Sequence, residues 1–135
     1  MNMRDWAQLT DDEKREAVLR IWGWELTAKD EDGSEHWEKG DDAVHLYDSP
    51  GYPMTSPGAA MELFKAKAKE YNLILWHQTA EESEDGLESF VCGYSVPNTT
   101  NIGGKWIAQD AQADTPEAAI CQAVYQAAKA RQEGA

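Results

Sequence analysis

Cysteine, basic residues and long apolar stretches are all scarce in this sequence of 135 residues. Cys92 and Cys121 are the two cysteines, too few to predict a disulfide-stapled fold, so we expect both to be reduced and buried. No run of about 18 apolar residues is present, and we therefore expect no membrane-spanning helix. The first residues hold no apolar segment typical of a secretory signal, which favours a cytoplasmic protein.

The shortage of basic residues gives the chain a strong negative charge. There are 12 Lys and Arg against 25 Asp and Glu, for a formal net charge of −13. The acids concentrate in residues 1–45 and in residues 73–88, the second of which holds five acids and no base. Such a field repels nucleic-acid phosphates and anionic lipids and attracts basic surfaces. The charge thus argues against nucleic acid and membranes as direct partners.

The rest of the composition is that of an ordinary globular protein, with 41% apolar and 27% charged residues. A chain of this length can bury a core of its own, so we predict one domain over residues 1–135. We find no internal repeat and no low-complexity tract.

Three segments have the start signals and the spacing of helices. Thr10 and Glu13 form a capping-box pattern, which predicts a helix from about 11 to 26 with Gly23 as a weak point. Ser56 followed by Pro57 predicts a second helix that ends at Asn72. The segment Asp114–Glu117 opens a third helix in the same way. The predicted inward residues are Val18, Ile21, Trp22 and Leu26; Ala60, Leu63, Phe64, Ala68 and Tyr71; and Ile120, Ala123, Val124, Ala127 and Ala128.

The remaining apolar segments are short and alternate like strands. A weak pair is predicted at 35–38, with Trp37 buried, and at 43–47, followed by a break at Ser49–Pro53. Three further strands are predicted at 73–78, 90–96 and 106–108. The loops between these three are short enough for hairpins, which indicates an antiparallel meander. We also expect Trp22, Trp76 and Trp106 to lie in the core.

The predicted fold class is α+β. Residues 57–133 form an α-β-β-β-α unit around the three-stranded meander, and an additional N-terminal helix precedes it. Two helices cover one face of the sheet. We expect the first helix, through Trp22, to cover the other face and so to give a three-layer arrangement.

Several short segments resemble the phage ABA sandwich domain family, a group of small phage and prophage proteins. The segments are Ile21–Trp24, Trp37, the stretch from Tyr47 to Pro57 that leads into Ala59–Leu63, and Thr115–Ile120. This resemblance covers most of the chain. It implies a viral or prophage origin, and hence the cytoplasm of a host cell, and it supplies no catalytic residues.

The α-β-β-β-α order also resembles that of a double-stranded-RNA-binding domain. That family holds RNA phosphates with a lysine cluster at the start of its last helix. Here the corresponding segment is Thr115–Ala119, which contains no base. The resemblance therefore extends to the order of elements and not to RNA binding.

No combination of residues predicts a chemistry, and we expect a protein that is not an enzyme and holds no cofactor or metal. His36, His45 and His77 lack the close local spacing with other ligands that zinc sites use. A nucleophile would need Cys92 beside His77, which are more simply two unrelated strand residues. Gly103–Lys105 is too short for a phosphate loop.

Two functions remain for such a chain. The first is an anti-defence inhibitor: a phage protein whose carboxylates mimic nucleic acid and block a basic surface of a host protein. The second is a structural or accessory phage protein that acts by homo-oligomerisation, as a dimer through a sheet edge or the last helix. The acidity itself has a simpler interpretation, which is solubility. The candidate partner-binding residues are Glu81, Glu82, Glu84, Asp85 and Glu88 in one loop, and Asp30, Glu31, Asp32, Asp41 and Asp42.

Overall fold

The structure is a computed structural model that describes residues 4–31, 35–39, 42–46, 53, 56–82, 86–97 and 106–133. Over these residues the chain is α+β, as predicted, with three α-helices and two small antiparallel sheets. A short 3-10 turn at Trp6–Gln8 precedes the first helix. The helices are α1 (Asp11–Trp22), α2 (Pro57–Tyr71) and α3 (Pro116–Glu133). The strands are β1 (Glu25–Lys29), β2 (Glu35–Lys39), β3 (Asp42–Leu46), β4 (Ile74–Gln78), β5 (Ser89–Pro97) and β6 (Trp106–Ala113).

Helix α1 begins where the capping box predicts and ends earlier than predicted. The Glu13 N–H donates to Thr10 Oγ1 over 3.2 Å, and the Thr10 N–H donates to Glu13 Oε1 over 2.9 Å. At the other end Gly23 takes a left-handed φ of 111°, which stops the helix at Trp22. The predicted end at residue 26 is therefore wrong. Leu26, predicted on the helix, lies in β1 instead.

Helix α2 matches its predicted start and stop signals, and α3 matches its predicted start signal. The Ala59 N–H donates to Ser56 Oγ over 3.3 Å, and Asn72 ends α2 with φ 52° and ψ 52°. Thr115 Oγ1 accepts from the Ala118 N–H over 3.1 Å at the start of α3. Both helices therefore form for the local reasons visible in the sequence.

The first sheet has the order β1-β2-β3. The predicted strands at 35–38 and 43–47 correspond to β2 and β3, whereas β1 was not predicted. Leu26 lies opposite Trp37, which is fully buried as expected. Tyr47 and most of the predicted break at Ser49–Pro53 lie outside the described residues.

The second sheet is the predicted antiparallel meander, in the order β4-β5-β6. Its register pairs Ile74 with Gly93 and Gly93 with Asp110. Strand β6 continues to Ala113, five residues beyond the prediction, because Gln109–Ala113 is too polar to stand out as a strand.

Helix α3 lies at the centre of the core. It packs on β5 and β6 with one side and contacts α1 and α2 with another. The predicted stripes of α2 and α3 are confirmed as buried or packed against the core. Leu19, which was not predicted, is also fully buried. The fully or nearly fully buried residues of α3 are Ala119, Ile120, Cys121, Ala123, Val124, Tyr125 and Ala127.

The expected three-layer arrangement is wrong, because α1 lies on the helix side of the second sheet. Its contacts are with α2 and α3. The face of the β4-β5-β6 sheet that α1 was expected to cover leaves Ile74 and Trp76 exposed. The helices therefore gather on one side of this sheet.

The segment before α1 is held against α3. The ring centroids of Trp6 and Tyr125 are 5.3 Å apart, and the Tyr125 hydroxyl donates to the carbonyl oxygen of Arg4. Lys129 Nζ lies 3.3 Å from a carboxylate oxygen of Asp5. None of the described helices has the length and apolar character needed to cross a membrane.

Replacing Val124 with Asp is expected to unfold the protein. Val124 is fully buried at the centre of α3, and an unpaired carboxylate there costs several kcal/mol, comparable with the roughly 5–15 kcal/mol total stability of a domain. Thermal melting followed by circular dichroism measures the effect. As a control, Ala66→Asp places the same side chain at an exposed position of α2 and should cost less than about 1 kcal/mol. Equal melting temperatures for the two variants would contradict the central position of α3.

Candidate functional site

The face of the second sheet that no described helix covers is the candidate site, and we call it the open face. Strand register decides its members, because side chains alternate between the two faces of a sheet. The open face is formed by Ile74, Trp76 and Gln78 of β4, by Ser89, Val91, Gly93 and Ser95 of β5, and by Ala108, Asp110 and Gln112 of β6.

The centre of the open face is apolar and partly exposed. Ile74 is 64% exposed and Trp76 is 39% exposed. Val91, directly opposite Trp76, is only 5% exposed. Val91 is therefore nearly inaccessible to solvent, whereas the neighbouring Trp76 still presents a substantial part of its surface. Exposed tryptophan of this kind is enriched at the centres of protein interfaces.

Gly93 lets two side chains converge on this centre. A Cβ atom added at Gly93 would lie 2.9 Å from Asp110 Oδ1 and 3.3 Å from the Trp76 ring. The glycine thus provides the space that the indole and the carboxylate occupy. Asp110 is exposed and forms no ion pair with any described residue. An aromatic surface and an exposed carboxylate therefore lie side by side.

One end of the open face is a hydrogen-bonded polar row. The Gln112 amide donates to Ser89 Oγ over 2.6 Å and to Gln78 Oε1 over 3.2 Å. Ser89 is buried. Because these groups bind each other across all three strands, this end is held in one arrangement.

The acidic loop predicted as a partner-binding site follows that polar row. Glu81 and Glu82 come just after β4, Glu88 comes just before β5, and all three are exposed. The Thr79 hydroxyl donates to Glu82 Oε1 over 3.0 Å, and Glu88 lies 3.8 Å from His77 Nε2. Glu82 lies beside the open face, because its carbonyl oxygen accepts from the Gln78 amide over 3.4 Å, and Glu81 precedes it. Glu88 instead approaches His77, which the register places on the helix-covered face. Glu84 and Asp85 lie outside the described residues.

The second predicted set of acids belongs to the first sheet. Asp30 and Glu31 follow β1 and are exposed, and Asp30 Oδ2 lies 3.2 Å from His36 Nε2. Asp42 begins β3 opposite Lys39. Asp32 and Asp41 lie outside the described residues. The six predicted residues that are described thus lie beside two different sheets.

The first sheet also holds a like-charged pair that the sequence did not predict. Glu25 and Glu38 lie directly opposite each other on neighbouring strands, and both are exposed. Like charges in this position destabilise a sheet. The register also brings the backbones of His36 and His45 opposite each other, although they are nine residues apart in sequence.

Neither cysteine is an activated thiol, and the described side chains form no metal centre. Cys92 lies opposite Leu75 on the helix-covered face, and burial raises the pKa of its thiol to about 12, with a smaller contribution from Asp110. Burial raises the pKa of Cys121 as well. Both thiols are therefore protonated at neutral pH. Among the described side chains, no group of three or more His, Cys, Asp or Glu could hold a metal ion.

Sequence reasoning missed the open face because it placed Trp76 in the core. Trp22 packs against the core, whereas Trp76 is not part of it. The side chain of Trp106 is not among those that the structure describes. Two signals were available. Gly93 interrupts an otherwise regular strand, which is typical of a close approach. Ile74 and Leu75 are both apolar, so β4 has apolar residues on both faces.

Comparison with known families, with curated proteins and with solved structures gives no match for this chain. The function is therefore inferred from the geometry of this chain's own residues.

Gly93→Ala is expected to destabilise the protein by about 1 kcal/mol and to displace the Trp76 indole, because the new methyl group would meet the ring and the Asp110 carboxylate. Denaturant unfolding measures the stability, and the NMR shift of the Trp76 indole N–H measures the displacement. Gly58→Ala is the matched control. It lies in the first turn of α2 with nothing within 4 Å, so it should leave the stability unchanged or increase it by up to about 1 kcal/mol. An unmoved Trp76 signal in Gly93→Ala would contradict the packing described.

Both cysteines should resist thiol reagents in the folded protein at pH 8 and react fully once it is unfolded. Ellman's reagent in the absence and presence of guanidinium chloride tests this. The raised pKa also predicts a loss of stability under alkaline conditions. An unfolded thiol ionises above its ordinary pKa of 9.0, whereas the folded Cys92 stays protonated to about 12, so stability falls as the pH rises through that window. Rapid labelling of the native protein would show that the helix-covered face opens readily.

Proposed function

We propose that this protein is an acidic binding module that docks its open face on a basic surface of another protein. The observation that carries the proposal is the exposed Trp76 beside the exposed Asp110, on a face bordered by Glu81 and Glu82. Protein interfaces commonly combine an aromatic centre with a polar, charged rim.

A basic side chain of the partner fits this arrangement chemically. A guanidinium or ammonium group placed over the Trp76 ring gains a cation–π interaction, and Asp110 accepts hydrogen bonds from the same group. The glutamates at the rim act at longer range. They raise the association rate with a basic surface, and this effect weakens as salt screens the charges.

The net charge of −13 favours a partner whose basic surface normally binds nucleic acid. Surfaces that bind nucleic acid carry closely spaced Lys and Arg to neutralise phosphates. Exposed carboxylates can occupy the same positions and exclude the nucleic acid. With the resemblance to phage ABA sandwich proteins, the proposal becomes an anti-defence inhibitor that blocks a nucleic-acid-handling complex of a bacterial host.

We expect the protein to capture a partner from lysate, and we expect both high salt and added DNA to release that partner. The immobilised protein, incubated with bacterial lysate, should retain a nucleic-acid-binding protein at low salt, and either high salt or added double-stranded DNA should displace it. Trp76→Ala should weaken the purified pair by at least about tenfold, the effect of losing a central tryptophan. Neutralising Glu81, Glu82 and Glu88 to Gln should slow association at low salt by about tenfold and leave high-salt rates unchanged.

A matched charge control separates a specific rim from general acidity. Neutralising Asp11, Asp12 and Glu16 to Asn or Gln removes the same charge from α1, which lies on the helix side of the sheet. This variant should associate nearly as fast as the parent. If both triple variants bind alike, or if DNA fails to displace the partner, the proposed docking surface is wrong and the acidity serves solubility.

A further inference from the structure

The described strands leave four sheet edges, and the edge at β4 differs from the other three. Strands β1 and β3 flank the first sheet, and β4 and β6 flank the second. Unpaired edges offer backbone N–H and C=O groups to any passing strand, and proteins protect them with charged residues, prolines or bulges.

Three of these edges carry such protection in their sequences. Strand β1 contains Glu25 and Lys29, together with an irregular register between Leu26 and Ala28. Strand β3 contains Asp42, and β6 contains Asp110.

Strand β4 has none of these devices. Its sequence, Ile-Leu-Trp-His-Gln, contains no Asp, Glu, Lys, Arg or Pro, and its pairing with β5 is regular over all five residues. Its two most exposed apolar side chains, Ile74 and Trp76, lie on the open face. A sheet edge without charges, proline or a bulge can accept a further strand, so β4 is the edge suited to strand addition.

We infer that β4 pairs antiparallel with β4 of a second copy, which joins the two three-stranded sheets into one of six strands. The twofold axis of such a dimer is perpendicular to the sheet. At full overlap Trp76 lies opposite Trp76 of the second copy, and Ile74 lies opposite Gln78.

Charge complementarity selects the second copy as the occupant. The exposed Lys65 and Lys69 belong to the helix that leads into β4, and the exposed Glu81 and Glu82 follow its other end. Antiparallel pairing sets the beginning of each β4 beside the end of the other. Each lysine-bearing end then meets a glutamate-bearing end, twice per dimer, although the chain as a whole is acidic.

The dimer would extend the open face. A twofold axis perpendicular to the sheet keeps both open faces on the same side, so two Trp76 side chains and two Asp110 carboxylates share one continuous surface. This inference is independent of the proposed function, because it concerns the isolated protein and needs no partner.

Sedimentation velocity over a range of protein concentrations tests the dimer. The parent should move from a species of 15.1 kDa to one of twice that mass as the concentration rises. Ile74→Asp should raise the dimer dissociation constant by at least about tenfold, because it removes an apolar contact and places a carboxylate at the end of the second copy's β4, which leads into Glu81 and Glu82. Met61→Asp, at another exposed apolar residue but on α2, should dimerise like the parent.

A charge exchange tests the antiparallel arrangement separately. Changing Glu81 and Glu82 to Lys should weaken the dimer, and combining this change with Lys65→Glu and Lys69→Glu should restore it. All four residues are exposed, so folding should survive, and circular dichroism checks this. A parent that stays monomeric at every concentration overturns the inference. Equal dimerisation of Ile74→Asp and Met61→Asp, or no restoration by the combined exchange, also overturns it.

Discussion

The burial of α3 is the constraint on which the rest of the structure depends. The helix packs on β5 and β6 and also contacts α1, α2 and the segment around Trp6, so nearly every described element of the main core touches it. Its small residues Ala119, Ala123 and Ala127 are spaced four apart and form one stripe along which neighbouring elements can approach closely. Because α3 and α2 fill one face of the meander and α1 packs on them, no described helix remains to cover the other face. The open face is therefore a consequence of how the core is assembled.

Features that depend on a few neighbouring residues were predictable from the sequence, and features that depend on distant ones were not. Ser56, Asn72 and Thr115 determine helix ends through local hydrogen bonds and backbone angles, and the structure agrees. The exposure of Trp76 depends on where α1 packs, which no local pattern states. The sequence marks the early end of α1 by Gly23, whose left-handed conformation stops the helix. The helical spacing of apolar residues that continues to Leu26 does not carry the helix past this glycine. The acidic loop was recognised from composition, whereas its position beside the open face required the register of β4 and β5.

The open face combines features that are separately unremarkable. A partly exposed tryptophan, a lone carboxylate or an acidic hairpin end occurs on many proteins. Here Gly93 brings the first two together, and the hairpin of β4 and β5 adds the third. The same strand that supplies Trp76 is also the unprotected edge of the sheet. One short segment, Ile74–Gln78, therefore belongs both to the surface that we propose docks on a partner and to the edge that we infer pairs with a second copy.

The position of α3 in the chain has a consequence for synthesis on the ribosome. Strands β4, β5 and β6 are neighbours in sequence and can pair as soon as they emerge, but the helix that covers them is translated after all three. Until then, of helices α2 and α3, α2 alone can pack on the helix-covered face of the nascent sheet, and β4 remains an edge without protecting residues. Residues 4–9 also cannot reach their final position before α3 is made, because Trp6 and the Arg4 carbonyl contact Tyr125 of that helix. The core thus closes only after α3 has been translated, and the nascent chain is exposed to aggregation or to chaperones until then.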